Sequence, residues 1–137
     1  MGLGLGLNKS SNGSYLALTA GTGMVPLMDV VMYQLRRNMR IYGAGLNIDL
    51  QTIMHEPLDF LGDDFNLELW GNFRKSGEVV GLKYLHAAQR VSEISGKNNF
   101  HLNLRLSEEE ETPRWNEDFI RKKLEGKKFE KIFIRGP

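Results

Sequence analysis

The residues best placed by type and spacing to meet a ligand are Gly21, Thr22 and Gly23, which directly follow the short apolar run Tyr15 to Ala20. Two glycines let a ligand approach the backbone, the amides that open a following helix attract anions, and Thr22 adds a hydroxyl. The chemistry on offer is pyrophosphate binding. A plain strand-to-helix turn is the competing reading, and spacing alone leaves both open. Pro26 stands where Gly-x-Gly-x-x-Gly has its third glycine, and no acid about 20 residues on closes a second strand. Gly2, Gly4 and Gly6 follow no strand and open no helix, so they read as a flexible connection. His55-Glu56 lacks a second histidine at helical spacing, and Pro57 opposes a long helix there, so the pair reads as surface loop. Glu108 to Glu111 reads as a solvated charge run, and His86 and His101 as surface or strand-face residues. With no cysteine and three scattered histidines, no metal site, disulfide or thiolate nucleophile is expected. No nucleophile-elbow motif supports covalent hydrolysis.

These residues need elements to hold them. Tyr15 to Ala20 suits a buried strand of a parallel sheet and breaks at Gly21. Beyond Pro26, Leu27, Val30, Val31, Gln34 and Leu35 recur at helical spacing, with Arg36, Arg37 and Arg40 read as cations near the helix C-terminus. From Ile41 to Asp64 the pattern blurs into a long connection, against about two to six residues in such units. Phe65 to Trp70 reads as a second strand closed by Gly71 and Asn72, and Glu78 to Ser95 as a helix stopped at Gly96. Phe100 to Leu106 alternates apolar and polar residues, as a strand at a sheet edge does. Asn116 to Leu124 has the acids first and bases last of a capped helix, and Phe129 to Ile134 a fourth strand ending at Gly136 and Pro137. Strand and helix in alternation predict an α/β fold with a parallel sheet and right-handed crossovers. Ligands of such sheets collect beyond the carboxyl ends of the strands.

Composition bounds the rest. The 137 residues, 41% apolar and 26% charged, suit one domain. Eighteen Lys and Arg against 17 Asp and Glu give a net charge of +1, which offers no electrostatic case for nucleic acid or an anionic membrane. No apolar run approaches the roughly 20 residues of a spanning helix, and no signal peptide opens the chain, so a cytoplasmic protein is expected.

The strand ends together resemble one family. Tyr15 through Leu27, with its Gly-Thr-Gly-x-x-Pro core, resembles the pyridine-nucleotide-binding domain of the ferredoxin-NADP reductase superfamily, nearest in pattern to its NADH-cytochrome b5 reductases. Leu67 to Asn72 is similar to the family's second strand with its terminal asparagine. Leu102 to Ser107, Trp115 and Glu117 to Leu124 resemble its third strand, tryptophan-bearing loop and next helix. Ile132 to Pro137 resembles its strand ending Cys-Gly-Pro.

The resemblance implies a three-layer αβα Rossmann-like sheet of strand order 3-2-1-4-5 without its fifth strand. It also implies that Gly21, Thr22, Gly23 and Pro26 shape the pyrophosphate and nicotinamide side of a pocket. Asn72, Phe73, Arg74 and Ser107 then approach the adenosine, while Gly136 and Pro137 border the nicotinamide. Family members pass a hydride from NADH or NADPH to FAD held by a preceding β-barrel domain, and electrons leave for a haem or iron-sulfur acceptor. The barrel and its Arg-x-Tyr-Ser/Thr flavin motif are absent, so FAD is expected only in a longer parent protein. Residues 1–14 read as a remnant of the interdomain linker and 15–137 as the nucleotide domain, C-terminally truncated, with an insertion at about 41–64. The family cysteine beside the nicotinamide is here Arg135, a permanent cation in place of a small polarizable group. That substitution opposes efficient hydride transfer and keeps alive a noncatalytic module for nucleotide sensing or protein interaction, beside an unrelated α/β nucleotide or methyl-donor binder. Where NADH-preferring relatives carry aspartate, this chain has Ser107. With Arg74 and Lys75 attracting a 2′-phosphate and Glu108 to Glu111 opposing it, the balance leans to NADPH tolerance.

Overall fold

The computed structural model describes residues 5–45, 61–109 and 115–136, with the side chains of 44 and 45 excepted. The expectations for Gly2, Gly4, His55-Glu56-Pro57, Glu110, Glu111, Pro137 and most of the 41–64 insertion lie outside the described residues. Seven elements alternate strictly: β1 (Gly13–Ala20), α1 (Met28–Gly45), β2 (Phe65–Phe73), α2 (Leu82–Ile94), β3 (Phe100–Leu106), α3 (Glu117–Lys123) and β4 (Lys131–Arg135). The four strands form one sheet of order β3-β2-β1-β4, and every neighbouring pair is parallel. The fold is therefore α/β and Rossmann-like, with the first four strands in the expected order.

Alternation along the strands divides the core between two faces. Tyr15 and Ala17 of β1, Leu67 and Leu69 of β2, Phe100 of β3 and Phe133 of β4 are buried with Leu27, just ahead of α1, and with Val30, Val31, Leu85 and Ala88 on the apolar side of α1 and α2. Tyr15 joins three strands, its ring centroid 4.9 Å from that of Phe65 and 6.5 Å from that of Phe133. On the opposite face, Trp70 is buried with its ring 5.3 Å from Trp115, just ahead of α3. Asn116 starts α3 as expected, its Oδ1 accepting from the Phe119 amide at 2.8 Å. No side chain of α3 is buried, and only Phe119 and Ile120 are partly covered, so this layer is the thinner one.

Four readings are corrected. Residues before β1 do not behave as a bare linker: Leu5, only 3% exposed, and Leu7 enter the core, and Lys131 Nζ donates to the Leu5 carbonyl at 3.2 Å. Pro26 does not open an α-helix. Gly21–Leu27 winds as a 3-10 helix with Pro26 inside, and the α-helix starts at Met28, since proline lacks an N–H and disfavours helical backbone at the residue before it. The helix then runs on through Ile41 to Gly45, which places Arg36, Arg37 and Arg40 in its interior rather than at its end. Likewise α2 begins at Leu82, after Gly81 in the left-handed conformation (φ 67°), and not at Glu78.

Arg37 and its neighbours close the amino ends of the strands. Gln34 Nε2 donates to the carbonyls of Phe65 and Asn99, each at 3.2 Å. Arg37 donates to the carbonyls of Leu61 (3.3 Å) and Gly62 (2.9 Å) and to Gln34 Oε1 (2.8 Å). Asn38 and Asn99 exchange side-chain amide bonds of 2.7 and 3.1 Å, and Ser92 Oγ accepts from the amides of Asn99 and Phe100. All five side chains are buried. Removing one member strands its partner's polar atoms, so Asn38→Ala is expected to cost about 2–4 kcal/mol in urea unfolding. Asn99→Ala should add much less in that background than it costs alone, and additive losses would show the pair uncoupled.

Candidate functional site

At the carboxyl ends of β1, β2 and β3 the surface opens into a cleft of about 330 Å³, lined by Ala20, Gly21, Thr22, Asn72, Phe73, Arg74, Glu78, Val80 and Ser107. Six residues singled out in the sequence, Gly21, Thr22, Asn72, Phe73, Arg74 and Ser107, thus come together from three separate segments. Parallel pairing is the cause. Register sets Ala20 beside Asn72 and Asn72 beside Arg105, so the strands end at one level. Past the end of β3, the amide of Ser107 donates to the carbonyl of Phe73 at 2.9 Å and that of Glu108 to the carbonyl of Arg74 at 2.8 Å. These two bonds carry Ser107 and Glu108 to the rim.

Each wall has its own character. Gly21, at φ 53°, turns the chain out of β1, a conformation that glycine adopts without strain. As at any helix start the first amides of this turn have no acceptor within it, and Ala20 offers no side chain to cap them. Asn72 Oδ1 accepts from Arg105 Nη1 at 3.1 Å, which fixes the amide at the base of the cleft. Phe73 is only 5% exposed and its ring belongs to the core, so it bounds the cleft without offering a stacking face. Val80, half-exposed, supplies apolar surface instead.

The rim is charged. Arg74 Nη2 donates to Glu78 Oε1 at 2.5 Å, its Nε lies 3.4 Å from Glu78 Oε2, and Glu108 Oε2 stands 3.8 Å from Nε. Hydrogen bonding to Glu78 raises the Arg74 pKa further, and the Arg74 guanidinium holds the Glu78 carboxyl below its ordinary value. Glu109 Oε1 accepts from both the amide (3.1 Å) and the hydroxyl (3.0 Å) of Ser76. Glu108 and Glu109 are exposed, as a solvated run is, and these contacts also place them at the lip of the cleft. Glu78 was missed, although its i,i+4 spacing from Arg74 is a signal visible in the sequence.

No protein-family model matches the chain, and no curated protein matches it in sequence.

The remaining site residues lie apart from this lining. Gly71 does not close β2, since the strand continues through Asn72 to Phe73. Gly23 is buried against the end of β4, where a Cβ would overlap the backbone carbonyl of Arg135. Its close approach is structural. Pro26 is exposed on the same turn, and Arg135 and Gly136 are exposed at the end of β4. Among the described residues no cluster of three or more His, Asp or Glu is gathered as a metal would need, and no helix is long and apolar enough to cross a membrane.

Two measurements check this geometry. Gly23→Ala forces the turn from β4 and is expected to destabilise the fold by about 1–3 kcal/mol, read as a lower urea midpoint. Glu78 is charged in the folded state at lower pH than in the unfolded chain. Its pairing is thus complete above the ordinary carboxylate pKa and lost as pH falls through the lowered folded value. A carbon-detected NMR titration should place the Glu78 midpoint below that of a free glutamate, and Arg74→Gln should raise it.

Proposed function

We propose that this chain is the NAD(P)H-binding domain of a flavin-dependent oxidoreductase. The observation that carries the reading is the cleft at the carboxyl ends of β1 to β3, which gathers Gly21, Thr22, Asn72, Phe73, Arg74 and Ser107. Ligands of open parallel α/β sheets bind beyond this end of the strands, and the cleft adjoins, on its β1 side, the point between β1 and β4 where strand order reverses. Its volume is at the lower end of the range for small-molecule sites, about 300–1,000 Å³, and suits one half of a dinucleotide.

The residues divide the labour. Uncapped amides at Gly21 and Thr22, with the Thr22 hydroxyl, provide donors for a pyrophosphate. Val80 covers an adenine, and Ser107 with the Arg74 rim meets the adenosine ribose. The nicotinamide half extends toward Gly23, Pro26, Arg135 and Gly136, with Pro137 carried over from the sequence pattern. The reduced nucleotide supplies a hydride, and its acceptor in this reading is FAD on a β-barrel domain of the same parent protein. Electrons pass from there to a haem or iron-sulfur partner. The chain's own contribution is to bind and orient.

Arg135 gives this reading a distinctive electrostatic consequence. Hydride donation turns a neutral dihydronicotinamide into a cation, and a guanidinium beside it disfavours the cationic form. The oxidised nucleotide should therefore bind more weakly than the reduced one, and Arg135→Ser should narrow that difference. Isothermal titration calorimetry of NADH, NADPH and NAD+ against the chain tests both points. Saturable binding of a reduced nucleotide, weakened by Thr22→Ala and Ser107→Ala, is the expected result. Absence of saturable binding by any of the three overturns the nucleotide reading. Reading the domain as noncatalytic rests on the same Arg135, and failure of the flavin-loaded parent to reduce ferricyanide with either nucleotide would favour it.

A further inference from the structure

We propose that Glu78 is the specificity-determining residue of the cleft: it occupies the guanidinium of Arg74 as an internal anion and thereby selects a dinucleotide with a free ribose diol over one carrying a 2′-phosphate. The inference rests on the nucleotide-binding reading and reverses the NADPH lean drawn from residue types. Arg74 and Lys75 look like phosphate receptors when the sequence is considered alone. In the structure Arg74 already has two carboxylates, Glu78 in a two-point contact at 2.5 and 3.4 Å and Glu108 at 3.8 Å. Arg74, Glu78 and Ser107 line the same cleft, so an anion entering beside Ser107 competes with Glu78 for the guanidinium.

Glu78 is also held from behind. It ends the short turn Ser76–Glu78, whose Ser76 is tied by two hydrogen bonds to Glu109, and the next residue, Val79, is buried in the core. The backbone of the turn is therefore fixed on both sides, so a Glu78 carboxylate displaced from Arg74 still stays at the lip. Glu78 and Glu108 stand against Arg74, and Glu109 against Ser76, which gathers three carboxylates at the lip beside Arg74 and Lys75, with Arg105 below on Asn72. A dianionic phosphate must displace one carboxylate and remain beside two more, whereas ribose hydroxyls can donate to those same oxygens. Arg74 is 70% exposed, so water and salt screen the pair, and the selectivity should decline as ionic strength rises.

The test uses ADP-ribose and 2′-phospho-ADP-ribose, which differ only in the group at issue, titrated calorimetrically into the chain and into Glu78→Gln. The unmodified chain should favour ADP-ribose, and Glu78→Gln should move the ratio of dissociation constants toward the phosphorylated probe by about tenfold or more at low salt. Adding Arg74→Gln to Glu78→Gln should abolish that gain, because the guanidinium released by the first change is removed by the second. An unaltered ratio in a folded Glu78→Gln, checked by circular dichroism, overturns this inference alone. A preference of the unmodified chain for the phosphorylated probe overturns it as well. Binding of neither probe to either protein overturns the nucleotide reading and this inference with it.

Discussion

The buried polar cluster at the amino ends of the strands is the constraint on which the rest of the fold depends. Gln34, Arg37 and Asn38 lie in α1, Ser92 in α2, and Asn99 immediately ahead of β3, and the carbonyls they engage belong to the starts of β2 and β3 or to the approach to β2. Apolar packing alone would hold two helices on a sheet with tolerance for sliding. Directed hydrogen bonds in a dry interior do not, since a displacement by one residue leaves several donors and acceptors unpaired at about 1–3 kcal/mol each. The cluster therefore specifies the levels at which β2 and β3 begin. Because the strands pair in parallel, it also specifies the level at which they end.

Stability and function are thereby separated along the strand direction. At the amino ends the polar groups are buried, reciprocal and satisfied. At the carboxyl ends they are exposed, and the ion pairs there, Arg74 with Glu78 and Glu108, contribute little to folding in water. Such pairs are suited to selecting a ligand because they can be exchanged. Asn72 and Arg105 mark the border between these regimes, half-buried and joined by one hydrogen bond below the charged rim. A parallel sheet makes this polarity natural, since every strand presents the same end to the same side.

Much of this was legible in the sequence, and the missing parts have physical reasons. The four strands followed from short apolar runs alternating with helical spacing, their order was what the family resemblance implied, and the terminal residues of three runs do converge in one cleft. Arg37 misled because arginine at helical spacing beside Arg36 and Arg40 reads as a solvated terminus. Its burial is set by carbonyls at Leu61 and Gly62, more than 20 positions away, which periodicity cannot see. Leu5 and Leu7 misled through their glycines: although the Gly-Leu alternation has a strand's period, glycine's conformational freedom reads as a flexible connection, yet two of its leucines enter the core. The family resemblance implied that Phe73 approaches the adenosine, with the strand closed at Gly71 and Asn72. The strand in fact continues one residue past Asn72, and alternation turns the ring inward.

Glu78 shows a subtler limit. Residue type gave Arg74 the role of anion receptor, and type is a statement about an isolated side chain. The effective charge of a site depends on what already satisfies it, and a guanidinium that donates to a carboxylate presents a local dipole rather than a free cation. The same distinction bears on Arg135. Its backbone carbonyl lies so close to Gly23 that no side chain fits between them, so the end of β4 packs directly on the turn after β1. Position 135 therefore serves two purposes. Its backbone seats the glycine turn whatever its side chain, and its side chain sets the charge beside that turn. The contact of the Arg135 backbone with Gly23 does not depend on the charge of the side chain, so a neutral residue at 135 keeps that contact while changing the charge beside the turn.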